Sequence, residues 1–220
     1  MKTPKSSSQS ESHVCLDCRR LLPVDAEWPK RLSSSTFSYL DFIGDAKILS
    51  GSLTAIFCSS RCTGDAILRT TKWIGEIAED ESQAIVGGFH SAMEKGFLEI
   101  LLEGRCRLVV CPARCLERYR VPGNLKAAIE SHRLTIVSSL PKSVRFNSES
   151  SSRQRNQLVA DLADHIVVTY SSPHSRTEKF ALELLRSGKQ IHCLNTGCDS
   201  LVAAGAEVVT FDTSVGRTGG

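Results

Sequence analysis

The stretch Leu53–Asp80, LTAIFCSSRCTGDAILRTTKWIGEIAED, decides the fold. Leu53, Ala55, Ile56 and Phe57 make a short apolar run suited to a buried strand, and Ile67, Leu68, Ile74 and Ile77 recur behind it at helical spacing. Between the two, Ser59, Ser60, Thr63 and Gly64 leave backbone N–H groups free at a helix N-terminus, where the macrodipole attracts anions. Arg61 adds a full charge and a planar donor fork suited to phosphate. Any βα turn uses Ser, Thr and Gly for capping, and neither a Walker nor a GxGxxG pattern is present. The loop alone therefore leaves anion binding and simple capping both open.

Outward from this unit, strands and helices alternate. The apolar runs Gln83–Val86, Arg107–Cys111, Leu134–Ser139, His165–Tyr170, Gln190–Leu194 and Val208–Phe211 read as further strands. The segments Ala92–Leu102, Gly123–Ser131, Asn156–Leu162, Arg176–Ser187 and Ser200–Gly205 read as the helices between them. Such alternation predicts a Rossmann-like, doubly wound α/β fold with a mainly parallel sheet and helices on both faces. Residues 53–212 are expected to form this domain. Residues 1–13 are expected to be a disordered tail, 14–52 a lead-in segment and 213–220 a frayed end. In the lead-in, Pro29 after Trp28 and Gly44 before Asp45 mark turns.

At 220 residues the chain suits one good core, with 41% hydrophobic and 23% charged residues. No apolar run reaches the roughly 20 residues that cross a bilayer, and the N-terminus lacks the apolar core of a secretion signal. Nine cysteines at irregular spacing fit reduced thiols and a cytoplasmic location better than a disulfide framework. Cys15 and Cys18, with Cys58 and Cys62, imitate a four-cysteine zinc site. Because the second pair falls at a strand end and in its loop, where a metal would compete with the fold, no metal and no other cofactor is expected.

Charge is unevenly distributed. The formal net charge is +3, yet residues 104–155 hold eleven Lys/Arg against three Glu, a block of +8. Such a block points to a polyanion, against the alternative of a merely basic solvated surface. Ligands of open α/β sheets bind at the carboxyl ends of the strands, and the unusual loops fall there. Ser60 and Arg61 follow the first strand of the domain. Gly87, Gly88, Phe89 and His90 follow the second, and Arg114 the third. Lys142, Arg145, Arg153 and Arg155 follow the fourth, with Asn156 beside them. Arg61 and Arg155 are expected to face each other across one cleft. Phe89, Tyr119 and Phe146 are candidate stacking faces, each with core packing as its alternative.

Four segments in this order resemble the DNA-processing protein DprA/Smf family. Ala26–Leu32 with Phe42–Asp45 and Leu49 is similar to its D-x-x-Y-P-x-x-L and G-D-x-x-L-L, and Ala55–Arg61 to its A-I-V-G-S-R. Arg120–Leu125 is similar to Y-P-x-x-N-x-x-L, and Arg155–Asp164, RNQLVADLAD, to R-N-R-I-I-A-G-L-S-D. The chain departs from the pattern at Cys58, where the family usually has Gly. It departs again at Ser91–Glu94, near the family's R-G-I-D, and at Ser172–Thr177, in place of G-S-x-x-T. The resemblance implies a divergent, core-only member that binds single-stranded DNA, protects incoming DNA in natural transformation and loads the RecA recombinase, without a catalytic cycle. The expected partners are single-stranded DNA, RecA and a second copy of the chain, with no membrane. The alternative is a nucleotide-sensing or nucleoside-monophosphate-cleaving Rossmann-like protein. For cleavage, Thr177-Glu178 is only a faint echo of the P-G-G-x-G-T-x-x-E loop.

Overall fold

The computed structural model describes residues 16–33, 35–194 and 197–209. The expected tails, Cys15 and Phe211 lie outside them. Among the described residues nine strands form one sheet: β1 (Arg19–Leu21), β2 (Leu40–Gly44), β3 (Thr54–Cys58), β4 (Ala84–Gly87), β5 (Arg107–Val110), β6 (Leu134–Ser138), β7 (His165–Tyr170), β8 (His192–Cys193) and β9 (Glu207–Val208). Six α-helices connect the last seven: α1 (Gly64–Ala78), α2 (Ala92–Glu103), α3 (Gly123–Glu130), α4 (Glu149–Leu162), α5 (Arg176–Arg186) and α6 (Asp199–Ala203).

The strand order is β1-β2-β6-β5-β4-β3-β7-β8-β9. From β3 in the middle, the chain steps outward to β6, returns through α4, and continues from β7 on the other side of β3. All pairs from β6 to β9 are parallel. The reversal places the topological switch point between β3 and β7. It also puts α1, α2 and α3 on one face of the sheet and α4, α5 and α6 on the other, each over its own core. Strand β3 serves both: Ala55 and Phe57 enter one core, Ile56 and Cys58 the other, as a period of two requires.

The structure departs from the sequence reading in three places. The lead-in contains two strands as well as turns, because β1 pairs with β2 and β2 with β6, both antiparallel. Gly44 closes this joint at φ 109°, where a Cβ would lie 2.4 Å from the Leu134 carbonyl oxygen. Leu68 does not belong to the buried face of α1. It is 73% exposed, and the buried stripe is Ala66, Thr70, Trp73, Ile74 and Ala78. Finally, α4 begins at Glu149 rather than near Asn156. Its serines are weak helix formers, but Ser148 and Ser151 form a reciprocal capping box that satisfies the first backbone donors. Ser148 is therefore the N-cap, and both Arg155 and Asn156 lie inside the helix.

One arginine fastens the lead-in to the domain. Arg31 donates to the Leu162 carbonyl at 2.7 Å, to Asp164 Oδ2 at 2.6 Å and to the Gly51 carbonyl. Asp164 also accepts from the Leu53 N–H at 2.8 Å, so a single ion pair joins the entry to β3 with the exit of α4.

Candidate nucleic-acid interface

Because β5, β4, β3 and β7 are adjacent and parallel, the loops at their carboxyl ends line up in that order along one rim. At about 4.8 Å per strand the row is about 14 Å long. Among the described residues, two cavities on it concern the site.

The larger, about 730 Å³, lies over the ends of β4 and β5. Gly88, Phe89, His90, Arg114, Tyr119, Phe146, Asn147 and Arg155 line it. Arg155 is only 7% exposed. Its Nε donates to Asn156 Oδ1 at 2.7 Å and its Nη1 to the Cys111 carbonyl at 3.4 Å. No carboxylate among the described residues pairs with it. Burial pulls its pKa down and Glu94 nearby opposes that shift, but arginine remains a cation at neutral pH. Gly88 makes room for this side chain: a Cβ there would sit 1.7 Å from Arg155 Nη1. Arg114 lies 5.6 Å over the Tyr119 ring and its buried Nε has no partner among the described residues. Phe146 is 81% exposed at the mouth, while Phe89, at φ 46°, is buried in the core beneath α2. Of the three aromatic candidates, Phe146 is exposed, Tyr119 half-buried and Phe89 buried. Next to it, Asn147 Nδ2 and His90 Nδ1 lie 3.3 Å apart.

The second cavity, about 480 Å³, sits at the switch point. It is lined by Ser60 and Arg61 from the loop after β3 and by residues 172–177 from the loop after β7. Ser59 stitches these loops together: its hydroxyl accepts from the Ser172 N–H at 3.1 Å and donates to Ser175 Oγ at 3.0 Å. Arg61 is exposed, with no hydrogen bond or ion pair to any described residue.

The sequence-predicted residues thus divide. Arg155, Arg114, Gly88, Phe89 and His90 share the larger cavity, and Ser60 and Arg61 the smaller, so Arg61 and Arg155 do not face each other across one cleft. Gly87 lies behind the wall, its carbonyl accepting from the Cys111 N–H. Asn156 acts through Arg155. Lys142 pairs with Glu117 at 3.0 Å and Arg153 with Glu183 at 2.8 Å, both outside the two cavities. Ser59 was read as a source of free backbone N–H groups, whereas its hydroxyl joins two loops; Asn147 was not singled out. Ser59 had a signal in its position between a strand and a capped helix, whereas Asn147 had none.

Glu178 is engaged structurally. Its carboxylate accepts from the His174 N–H and the Ser200 hydroxyl, holding the α5 N-terminus to α6. The Ser200 bond is the main cause of its lowered pKa. Cys18 is exposed, and no group of three or more potential metal ligands comes together among the described residues. No described helix is long and apolar enough to cross a membrane.

The sheet order, its switch point and the loops at the carboxyl rim define a Rossmann-like α/β protein. The family model for DNA recombination-mediator protein A matches residues 19–216, and the chain belongs to that family. The DNA processing protein A of Streptococcus pneumoniae is similar in structure, with a TM-score of 0.72 and 16% identity over 87% of this chain and 70% of that one. The protein of the same name from Helicobacter pylori, solved to explain its single-stranded DNA binding mode, has a TM-score of 0.70. It shares 20% identity over 90% of this chain and 92% of its own. No curated protein sequence matches this chain.

Proposed function

We propose that this protein binds single-stranded DNA along the carboxyl rim, with phosphates at Arg61, Arg114 and Arg155 and a base stacked on Phe146. The observation that carries the proposal is the larger cavity. Among the described residues it combines a buried cation without an ion pair, a buried guanidinium donor without a partner and an aromatic ring facing solvent. Buried donors left unpaired are costly, and a phosphate oxygen is the acceptor that suits a guanidinium fork. A sequence-tolerant groove for single strands needs this mixture of positive charge and stacking faces. Family membership and the Helicobacter pylori relative support the same reading. Its wider setting is a cytoplasmic role in DNA processing, protecting incoming strands and passing them to RecA as a homodimer.

Fluorescence anisotropy with oligo-dT tests the proposal across a salt series. Three phosphate contacts give a slope of log affinity against log salt of about −2, at about −0.7 per contact. Arg61→Ala is expected to weaken binding about ten-fold and to make the slope shallower by about 0.7, with folding unchanged, because Arg61 holds no other described residue. Arg61→Lys is not expected to restore full affinity, since a point charge cannot copy a bidentate fork. A flat salt response refutes the proposal.

A further inference from the structure

We infer that Cys58 and Cys62 form a reversible disulfide that controls the loop holding Ser60 and Arg61. Its effect on DNA rests on the binding mode proposed above. The two Sγ atoms lie 3.3 Å apart, in contact, at the two ends of that loop. Both thiols point at one acceptor, the Ser59 carbonyl, from Cys62 at 3.0 Å and Cys58 at 3.5 Å. Cys58 closes β3 where its register against β7 shifts, so the strand end already has an irregular backbone. The thiols differ in access. Cys58 is 5% exposed, while Cys62, next in sequence to Arg61 of the switch-point cavity, is half-buried and within reach of a small oxidant. The neighbouring Cys193 and Cys198 are 0% and 1% exposed, sealed from the same reagent.

A peroxide supplies the oxidising equivalents. The Cys62 thiolate attacks one peroxide oxygen, the O–O bond breaks, and a sulfenic acid forms as the other oxygen leaves as water. The Cys58 thiolate then attacks Cys62 Sγ, the S–O bond breaks, and the departing hydroxide takes up the proton released by Cys58. Two thiols and one hydrogen peroxide give one disulfide and two waters. Burial raises both thiol pKa values, so the reaction is slow at neutral pH and accelerates as pH rises. Closing from 3.3 Å to a bond of about 2.05 Å requires a movement of about 1.2 Å. Cys58 is held in the sheet, so Cys62 moves, taking Arg61 and the α1 cap Thr63 with it.

The test treats the whole protein with hydrogen peroxide, maps its linkages by non-reducing peptide mass spectrometry and measures oligo-dT affinity before and after dithiothreitol. A Cys58–Cys62 linkage with about ten-fold weaker binding, restored by the reductant and absent in Cys62→Ser, supports the inference. No linkage, linkages only between other cysteines, or a Cys58–Cys62 linkage with unchanged affinity overturns it. If the reduced protein binds no DNA, the proposed function fails separately. Amide exchange across residues 59–66 then decides: slower exchange in the linked protein supports the device, and unchanged exchange overturns it.

Discussion

Replacing Gly88 by Ala is a single-methyl test of the buried arginine. The new Cβ would lie 1.7 Å from Arg155 Nη1, 2.2 Å from Cζ and 2.7 Å from Nε, so the guanidinium must retreat by about 1.7 Å to reach ordinary contact. A retreat of that size breaks the bonds to Asn156 Oδ1 and the Cys111 carbonyl. Hydrogen bonds from a charged donor contribute about 1.5–3 kcal/mol each, and the longer of these two sits at the weak end of the range, so the expected loss is about 3 kcal/mol. For a domain of this size that is about 6–12 °C in Tm. Oligo-dT affinity is expected to fall about ten-fold in the same variant, because the displaced fork no longer faces the cavity. Thermal melting and anisotropy on Gly88→Ala, Arg155→Ala and the double variant form the assay. With Arg155 truncated, the added methyl meets empty space, so Gly88→Ala should cost almost nothing in that background. A penalty of equal size with and without Arg155, or no penalty in either background, refutes the reasoning.

Arg31→Ala removes three hydrogen bonds and leaves Asp164 without its ion-pair partner; a loss of about 2–4 kcal/mol is expected, read as a lower midpoint in urea at unchanged slope. Glu178 has a carboxylate pKa below its ordinary value, so its contribution to stability is fully present above the unfolded value of about 4.3 and disappears as pH falls through the folded one. Glu178→Gln should therefore flatten the loss of Tm below about pH 4 while lowering Tm at pH 7, and an acid limb identical to that of the unsubstituted protein contradicts the assigned bonds.

The parallel part of the fold was legible because each of its elements carries its own local signal. An apolar run ended by Ser-Ser-Arg gives β3, and helical spacing gives α1. Strands β1 and β2 were not, since Leu21, Leu40 and Phe42 gain their meaning from partners as distant as Val137. The first half of α4 was hidden by serines whose helical role depends on a reciprocal cap between Ser148 and Ser151. In the site, the charge block directs attention to the loops of the rim, but charge alone does not separate Arg155, buried behind Gly88, from Arg153, paired in solvent with Glu183. Which cations remain unpaired depends on where carboxylates from other elements fall, and that emerges only after folding.

The sheet's strand order also sets a timetable for synthesis. Strand β2 finds its partner β6 roughly 95 residues later, and β3 pairs with β7 roughly 110 residues later. At a ribosome's pace of about 5–20 residues per second, those partners emerge roughly 5–20 s after the strands that need them. During that interval the apolar segment Leu40–Gly44 has no β6 edge to join and Arg31 has no Asp164 to hold. A nascent chain stalled before residue 134 should therefore expose Phe42 and Ile43 and recruit a holdase chaperone, and one released beyond residue 170 should not.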